Sequence, residues 1–545
     1  MRPTSFRAAP PEATRAGDVR HGCTARRGPG GLPFGSDAVA PIVGCMSVSL
    51  PWTRGALRNE ARFAHRSVKA ELRANLVPAL RAGRRGEQLF PGLVGYGETV
   101  IPQVVNAILA GHDLLLLGLR GQAKTRLARA LARFLDAQVP ALAGDPLRSH
   151  PLAPIGAIAE DIVAREGDAA RVVWLTREER YSEKLATPDV SVADLIGDVD
   201  PIRASREGYD LGDLRAVTFG IIPRSNRGIF CVNELPDLAP RIQVALFNIL
   251  EEQDVQVRGI PLRLPLDLML TFTANPEDYT SRGQIITPLK DRIGAQVLTH
   301  YPASRDDGIA IMTQEAEPAR VDGCAPVVPE LVRVLIEESA RAARVSEYVD
   351  TKSGVSARLT IAALEALTAN VLARGLALGE AAPVARLVDL PATLAAMTGK
   401  IELAYEGEQE GPLKVGWHVL GEAVKTLWKE RLPPVMKDRD DERDQGPYKA
   451  ILRWFADGNK LVLTDRAPTR EHEAALAAVP SLAELTDKLL KPPANERALW
   501  QEFVVEGLFH GGVIARDETG RGLVYSDLLA HMMGRQDKKK RKELG

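Results

Sequence analysis

Three short apolar runs stand out in an otherwise mixed chain: residues 114–117, 228–232 and 267–273. Apolar runs of this length without alternation mark strands covered on both faces, as in a parallel sheet. Helical spacing surrounds them. Residues 125–135 carry Leu127, Leu131, Phe134 and Leu135 along one stripe, and residues 241–252 follow the second run as a helical stretch. Ahead of the first run, residues 67–84 set Val68, Leu72, Leu76 and Leu80 four apart, with Pro78 expected to kink that helix. Strands alternating with helices predict an α/β fold in which helices flank a parallel sheet. Between the first two strands, roughly residues 140–227 read as a long insert with short elements of its own.

Beyond about residue 325 the spacing turns helical, at 331–344, 358–374 and 419–427. The chain then divides into four parts: an N-terminal extension (1–60), an α/β domain (61–325), a helical lid (326–436) and a mostly helical C-terminal unit (437–545). A charged linker at 437–445 opens the last part, and a turn falls at Asp457-Gly458. The basic tail 538–542 reads as solvated. Residues 1–45 are rich in Arg, Pro, Gly and Ala without apolar periodicity. They read as an unfolded extension upstream of a start at Met46, or as a transit peptide.

Composition narrows the function classes. At 545 residues with 45% hydrophobic and 26% charged content, the chain can bury a large core. A net charge of −1 gives no global field toward nucleic acid or an acidic membrane, and no basic strip interleaved with aromatics is present. Cys23, Cys45, Cys231 and Cys324 have no CxxC spacing, which excludes a zinc ribbon and fits a reducing cytoplasm. No uninterrupted apolar stretch approaches the roughly 18 residues a membrane helix needs, so neither nucleic-acid binding nor membrane insertion is expected.

The strongest chemical signal is Gly118-Leu-Arg-Gly121-Gln122-Ala123-Lys124-Thr125-Arg126. Phosphates are held by inward-turned backbone amides, a helix start, a cation and a hydroxyl for Mg²⁺. Lys124 is the cation and Thr125 the hydroxyl. The pattern wants glycine before the lysine, where Ala123 stands; alanine is expected to keep φ negative there. At the second run, Asn233 and Glu234 lie at the carboxyl end of a buried strand, where such sheets bind ligands. Glu234 fits the base that positions an attacking water. Asn233 stands where a metal-organising aspartate is expected, which predicts weakened metal handling.

These segments resemble the MoxR group of AAA+ ATPases in Gly-Gln-Ala-Lys-Thr and in Asn233-Glu-Leu-Pro-Asp-Leu-Ala-Pro-Arg-Ile-Gln-Val-Ala-Leu246, followed by Glu251-Glu252. Ser225-Asn-Arg-Gly228, Asp194-Leu-Ile-Gly197 and Ala274-Asn-Pro-Glu277 look more like the I subunit of magnesium chelatase. The resemblance covers about residues 90–375. It implies an AAA+ P-loop fold, ATP with Mg²⁺ at Thr125 and Asn233, and a nucleotide cradle of Gly118, Gly121, Gln122, Ala123, Lys124, Thr125 and Arg126. By position Asn275 matches the polar sensor and Arg292 the finger that reaches a neighbour's nucleotide. Arg358 matches the second sensor on the lid, and residues 251–264 match a hairpin facing the ring pore. Arg227, ahead of a strand, fits a packing residue as well as any site role.

Two functions fit. One is an ATP-hydrolysing ring, hexameric by analogy, that remodels or loads metal into a separate partner. In these groups that partner typically carries a von Willebrand A domain, and no DxSxS pattern places one here. The other is an ATP-gated assembly subunit in which Asn233 leaves little hydrolysis; Glu234, Asn275 and Arg292 argue against it.

Overall fold

The computed structural model describes residues 50–257, 263–276, 283–435, 446–519 and 522–533. Cys23, Cys45, Met46, the middle of 251–264, Glu277, the 437–445 linker and the 538–542 tail lie outside the described residues. Along the chain, β1 (Leu114–Leu117) precedes a hairpin-like pair, β2 (Gln138–Leu142) and β3 (Val172–Thr176), and then β4 (Tyr181–Leu185). A second small pair, β5 (Gly197–Val199) and β6 (Val217–Phe219), leads to β7 (Gly228–Asn233). After β8 (Asp254–Gln256) and β9 (Arg263–Pro265) come β10 (Leu268–Ala274) and β11 (Ala295–Leu298).

Five of these strands form one sheet in the order β11-β1-β10-β7-β4, and every neighbouring pair is parallel. Side chains alternate across a strand, so one apolar run feeds two cores. Leu114 and Leu116 join Ile229, Cys231, Met269 and helices Val68–Arg81 and Val100–Ala110 on one face. Leu115 and Leu117 join Phe230, Val232, Leu270 and Phe272 on the other. The three central strands are thus the three apolar runs.

The outer strands are different. β4 lies inside the stretch read as an insert, and its Tyr-Ser-Glu-Lys-Leu sequence is half-buried up to an exposed Leu185. An edge strand is covered less completely, so it tolerates polar residues and leaves no apolar run. The stretch 241–252 is likewise two short helices, Pro240–Val244 and Phe247–Glu251, rather than one. Between them Ala245 and Leu246 donate three residues back, to Ile242 and Gln243, which tightens the turn and breaks the helix. Part of the expected extension is folded: helix Arg54–Arg58 is capped by Thr53, buries Leu57 and pairs Arg54 with Asp168 at 3.0 Å.

Helices Glu330–Val345, Arg358–Leu378 and Pro412–Arg431 make up the helical region after residue 325. Arg358–Leu378 is long and apolar enough by composition to cross a membrane. Here it is a core helix, with Leu359, Leu367 and Val371 buried and Arg374 paired to Asp389 at 2.5 Å. The C-terminal stretch adds an antiparallel sheet, β12 (Leu461–Thr464), β13 (Ile514–Thr519) and β14 (Gly522–Asp527), in the order β12-β14-β13. It shares a single apolar core with the helical region, Trp428 meeting Tyr448 and Phe503.

Candidate functional site

The carboxyl ends of β1, β10 and β7, three neighbours in the sheet, deliver the loop 118–124, Asn275 and the pair Asn233–Glu234 to one edge. The loop is anchored where it leaves the sheet: the Gly118 amide donates to the Ala274 carbonyl at 3.1 Å. A Cβ on Gly118 would sit 2.0 Å from Thr299 Oγ1 and 2.2 Å from Gln122 Oε1, so only glycine fits. Those two side chains are themselves bonded, Thr299 donating to Gln122 at 2.8 Å. Gln122 is therefore a buried brace of the loop. Gly121 turns at φ +73°, with Ser356 of the helical region pressed against it.

Ala123 has φ +51°, in the left-handed region, where negative φ was expected. The loop must turn its amides inward before helix Lys124–Ala130 begins, and that turn sets the conformation whichever residue stands there. Alanine accepts the strain, about 1–2 kcal/mol.

Lys124 is buried, and its ammonium donates to the Leu119 carbonyl at 2.9 Å and to Asn275 Oδ1 at 2.6 Å. Asn275 in turn donates from Nδ2 to Glu234 Oε2 at 2.9 Å. Glu234 adopts φ +56°, and its amide donates to Thr273 Oγ1 at 3.0 Å, which fixes the carboxylate at the strand end. Lys124, Asn275 and Glu234 thus form one continuous polar chain. Beside it, Asn233 Oδ1 accepts from Thr125 Oγ1 at 3.2 Å and Thr273 Oγ1 at 3.3 Å, with Cys231 Sγ at 3.6 Å below. Burial raises that thiol to about 12, so it stays neutral. A hydroxyl and an amide oxygen next to a lysine and a loop of inward amides form the donor set a nucleotide-bound Mg²⁺ takes.

The arginines divide. Arg358 is exposed at the start of helix Arg358–Leu378, two residues after the Ser356 that touches Gly121, so it stands beside the loop. Arg126 pairs with Glu315 of helix Arg305–Glu315. Arg292 is not brought to this site: it pairs with Glu251 at 2.7 Å, donates to the Pro288 carbonyl at 2.9 Å and lies over the Phe247 ring. Arg227 is a packing residue. It is buried, bonds the Pro140 carbonyl at 2.6 Å, and burial lowers its pKa to about 10.

Sequence reading missed the supports that come from far along the chain. Tyr96 donates from its hydroxyl to the Gln122 carbonyl at 2.7 Å, bracing the loop from below. Glu183 on β4 accepts from Arg129 Nε at 3.0 Å, and Arg129 lies one helical turn after Thr125.

No protein-family model matches the chain, and no curated protein matches it. Solved structures do, at low similarity. The chain is similar to a complex of subunits BchI and BchD of magnesium chelatase, with 20% identity and a TM-score of 0.32 over 60% of this chain and 99% of that one. It is also similar to NtrX from Brucella abortus in complex with ATP, with 16% identity and a TM-score of 0.32 over 55% of this chain and 57% of that one. Scores this low carry no weight beside the sheet itself. With β1 and its lysine-bearing loop set between β11 and β10, the parallel sheet flanked by helices has the α/β P-loop arrangement.

Proposed function

We propose that this chain binds and hydrolyses ATP as a ring protein of the MoxR and magnesium chelatase I-subunit type, acting on a separate partner. The observation that supports this best is the Lys124–Asn275–Glu234 chain, in which three neighbouring strand ends each supply one polar group. In this reading the amides of Leu119 to Thr125 and the Lys124 ammonium hold the phosphates, while the Gly118 amide anchors the loop. Thr125 and Asn233 hold Mg²⁺, whose charge supports the phosphoryl group as it transfers. Glu234, steadied by Asn275, orients the attacking water.

Arg358 touches the nucleotide from the helical lid, and Arg292 serves the neighbouring copy's site. That last role agrees with Arg292 making its contacts to Glu251, Pro288 and Phe247 instead of to its own loop. A closed ring, six copies by analogy, follows from a shared-interface arginine. The partner is a separate von Willebrand A domain protein, and the setting is the cytoplasm.

The test is steady-state phosphate release with ATP and Mg²⁺, comparing wild type with Glu234→Gln, and with Lys124→Ala as the binding control. Glu234→Gln should keep nucleotide affinity and lose release by about 10²-fold or more, the scale of a positioned base. Lys124→Ala should not bind. Equal, near-zero release from wild type and Glu234→Gln with binding intact would overturn hydrolysis in favour of ATP-gated assembly.

A further inference from the structure

The strand end at 233 carries an amide where a metal site wants a carboxylate, and the nearest carboxylate stands on the strand next door. β4 runs parallel to β7 with Glu183 opposite Cys231 and Leu185 opposite Asn233. Paired residues in this register project to one face, and Cys231 and Asn233 share that face two residues apart. Glu183 therefore points at the underside of Asn233. Its carboxylate accepts from the Tyr181 hydroxyl at 3.1 Å and from Arg129 Nε at 3.0 Å, and the Asn233 side chain is among the neighbours that hold its pKa down.

An asparagine has two nearly isosteric ends, and its neighbours decide which way it faces. A carboxylate ringed by donors accepts only, so it takes the NH₂ end and leaves the oxygen for Thr125. We propose, building on the nucleotide-site reading above, that Glu183 is the positioning residue of the Mg²⁺ site. It holds the Asn233 amide with its oxygen toward Thr125, and it places one residue away the negative charge that the end of β7 lacks. Asn233 and Glu183 together then do what a single aspartate does elsewhere. The hydrogen bonds from Arg129 hold the Glu183 carboxyl below the usual range, so it is ionised at neutral pH. The two departures from a carboxylate-bearing strand end, an amide on β7 and an acid on the half-buried β4, are thereby one feature.

The experiment measures binding of a fluorescent, non-hydrolysable ATP analogue with and without Mg²⁺, and reads the ratio of the two affinities. The variants are Glu183→Gln, Glu183→Asp, Asn233→Asp, the Glu183→Gln/Asn233→Asp double, and Arg129→Gln, each checked for folding by thermal unfolding. Groups that orient metal ligands typically contribute about 10–100-fold to metal affinity, so Glu183→Gln should cut the ratio by about 10-fold. Glu183→Asp, which keeps the charge but withdraws it from the amide, should cut it too. In the Asn233→Asp background the Glu183→Gln effect should vanish or reverse, because the charge then sits at 233 itself.

An unchanged ratio in both Glu183 variants would overturn the proposal. So would an equal loss in the Asn233→Asp background, which would make Glu183 a structural partner of Arg129. Arg129→Gln, which keeps the carboxylate and only releases it, should cut the ratio less than Glu183→Gln, and a larger cut would overturn the proposal too. Failure of the wild type to bind the analogue under any condition would instead overturn the nucleotide site on which the proposal rests.

Discussion

Two regions of the molecule bury charged and polar side chains, and they do so differently. In the C-terminal part Glu506 accepts from the Tyr525 hydroxyl at 2.6 Å and is met by His510 at 3.1 Å and by Arg516. Arg516 lies over the Trp417 and Phe509 rings at 4.5 and 4.3 Å, and nearby His472 meets Glu502 at 2.8 Å. Acid faces base throughout the cluster. At the sheet edge Lys124 rests on carbonyl oxygens of its own loop and on an amide, and Thr125 rests on another amide. A multiply charged phosphate competes well with these carbonyl and amide oxygens for the ammonium. The first arrangement fixes a packing, while the second can exchange its partners for a ligand, at a place where Ala123 and Glu234 are both held at positive φ.

The largest effect that would break this contrast is on stability. Glu506→Ala takes from the buried Arg516 its buried carboxylate, leaving the exposed Glu518 at 3.3 Å, and should cost about 3–5 kcal/mol, read by urea unfolding, while the folded variant binds nucleotide like wild type. A loss of nucleotide affinity in the folded variant would show that the two regions are not independent.

Acid separates the C-terminal cluster from the α/β domain next. Burial, opposed by the hydrogen bond to the Phe63 carbonyl and joined by the Arg227 charge, lowers His150 from 6.5 to about 4. The unfolded chain then takes the proton first, so this contribution is full above pH 6.5 and is lost as pH falls toward 4. Burial alone would raise Glu506, but His510, Arg516 and Tyr525 outweigh it and take it from 4.5 to about 2. Its contribution is full above pH 4.5 and is lost as pH falls toward 2. Segment-resolved hydrogen exchange, corrected for intrinsic rates, should therefore show the region around His150 opening before helix Arg497–His510. Simultaneous opening would contradict this order.

The smallest effect sharpens the picture of strain. Releasing Ala123 from the left-handed region with Ala123→Gly returns about 1–2 kcal/mol, less about 0.5–1 kcal/mol for the greater freedom of unfolded glycine. A net gain of about 0.5–1 kcal/mol in urea unfolding is expected, and a net loss would show that the loop is relaxed as it stands.

What could be read from the sequence followed burial. Leu114–Leu117 and the apolar strands at 228 and 268 are covered on both faces, so covering them required an unbroken apolar run. β4 and β11 are edge strands and carry mixed residues that look like loop. The polar groups of the site were legible because they fall directly after the apolar strands. Tyr96, Thr299 and Glu183 were not, since nothing local joins them to the loop they support; Thr299 lies 177 residues from Gln122. The conformation of Ala123 could have been inferred, because a motif that prefers glycine at one position is describing a positive φ.

The phosphate loop and the helix it opens also grip the segments that follow β11 at three points: Arg120 to Glu402, Gly121 against Ser356, and Arg126 to Glu315. Linkage between binding events is reciprocal. In the ring proposed above, a neighbouring copy that tightened or loosened those three grips would change nucleotide affinity by the same factor that nucleotide changes the neighbour's hold. A stretch of seven residues is thereby enough to let assembly and occupancy report on each other.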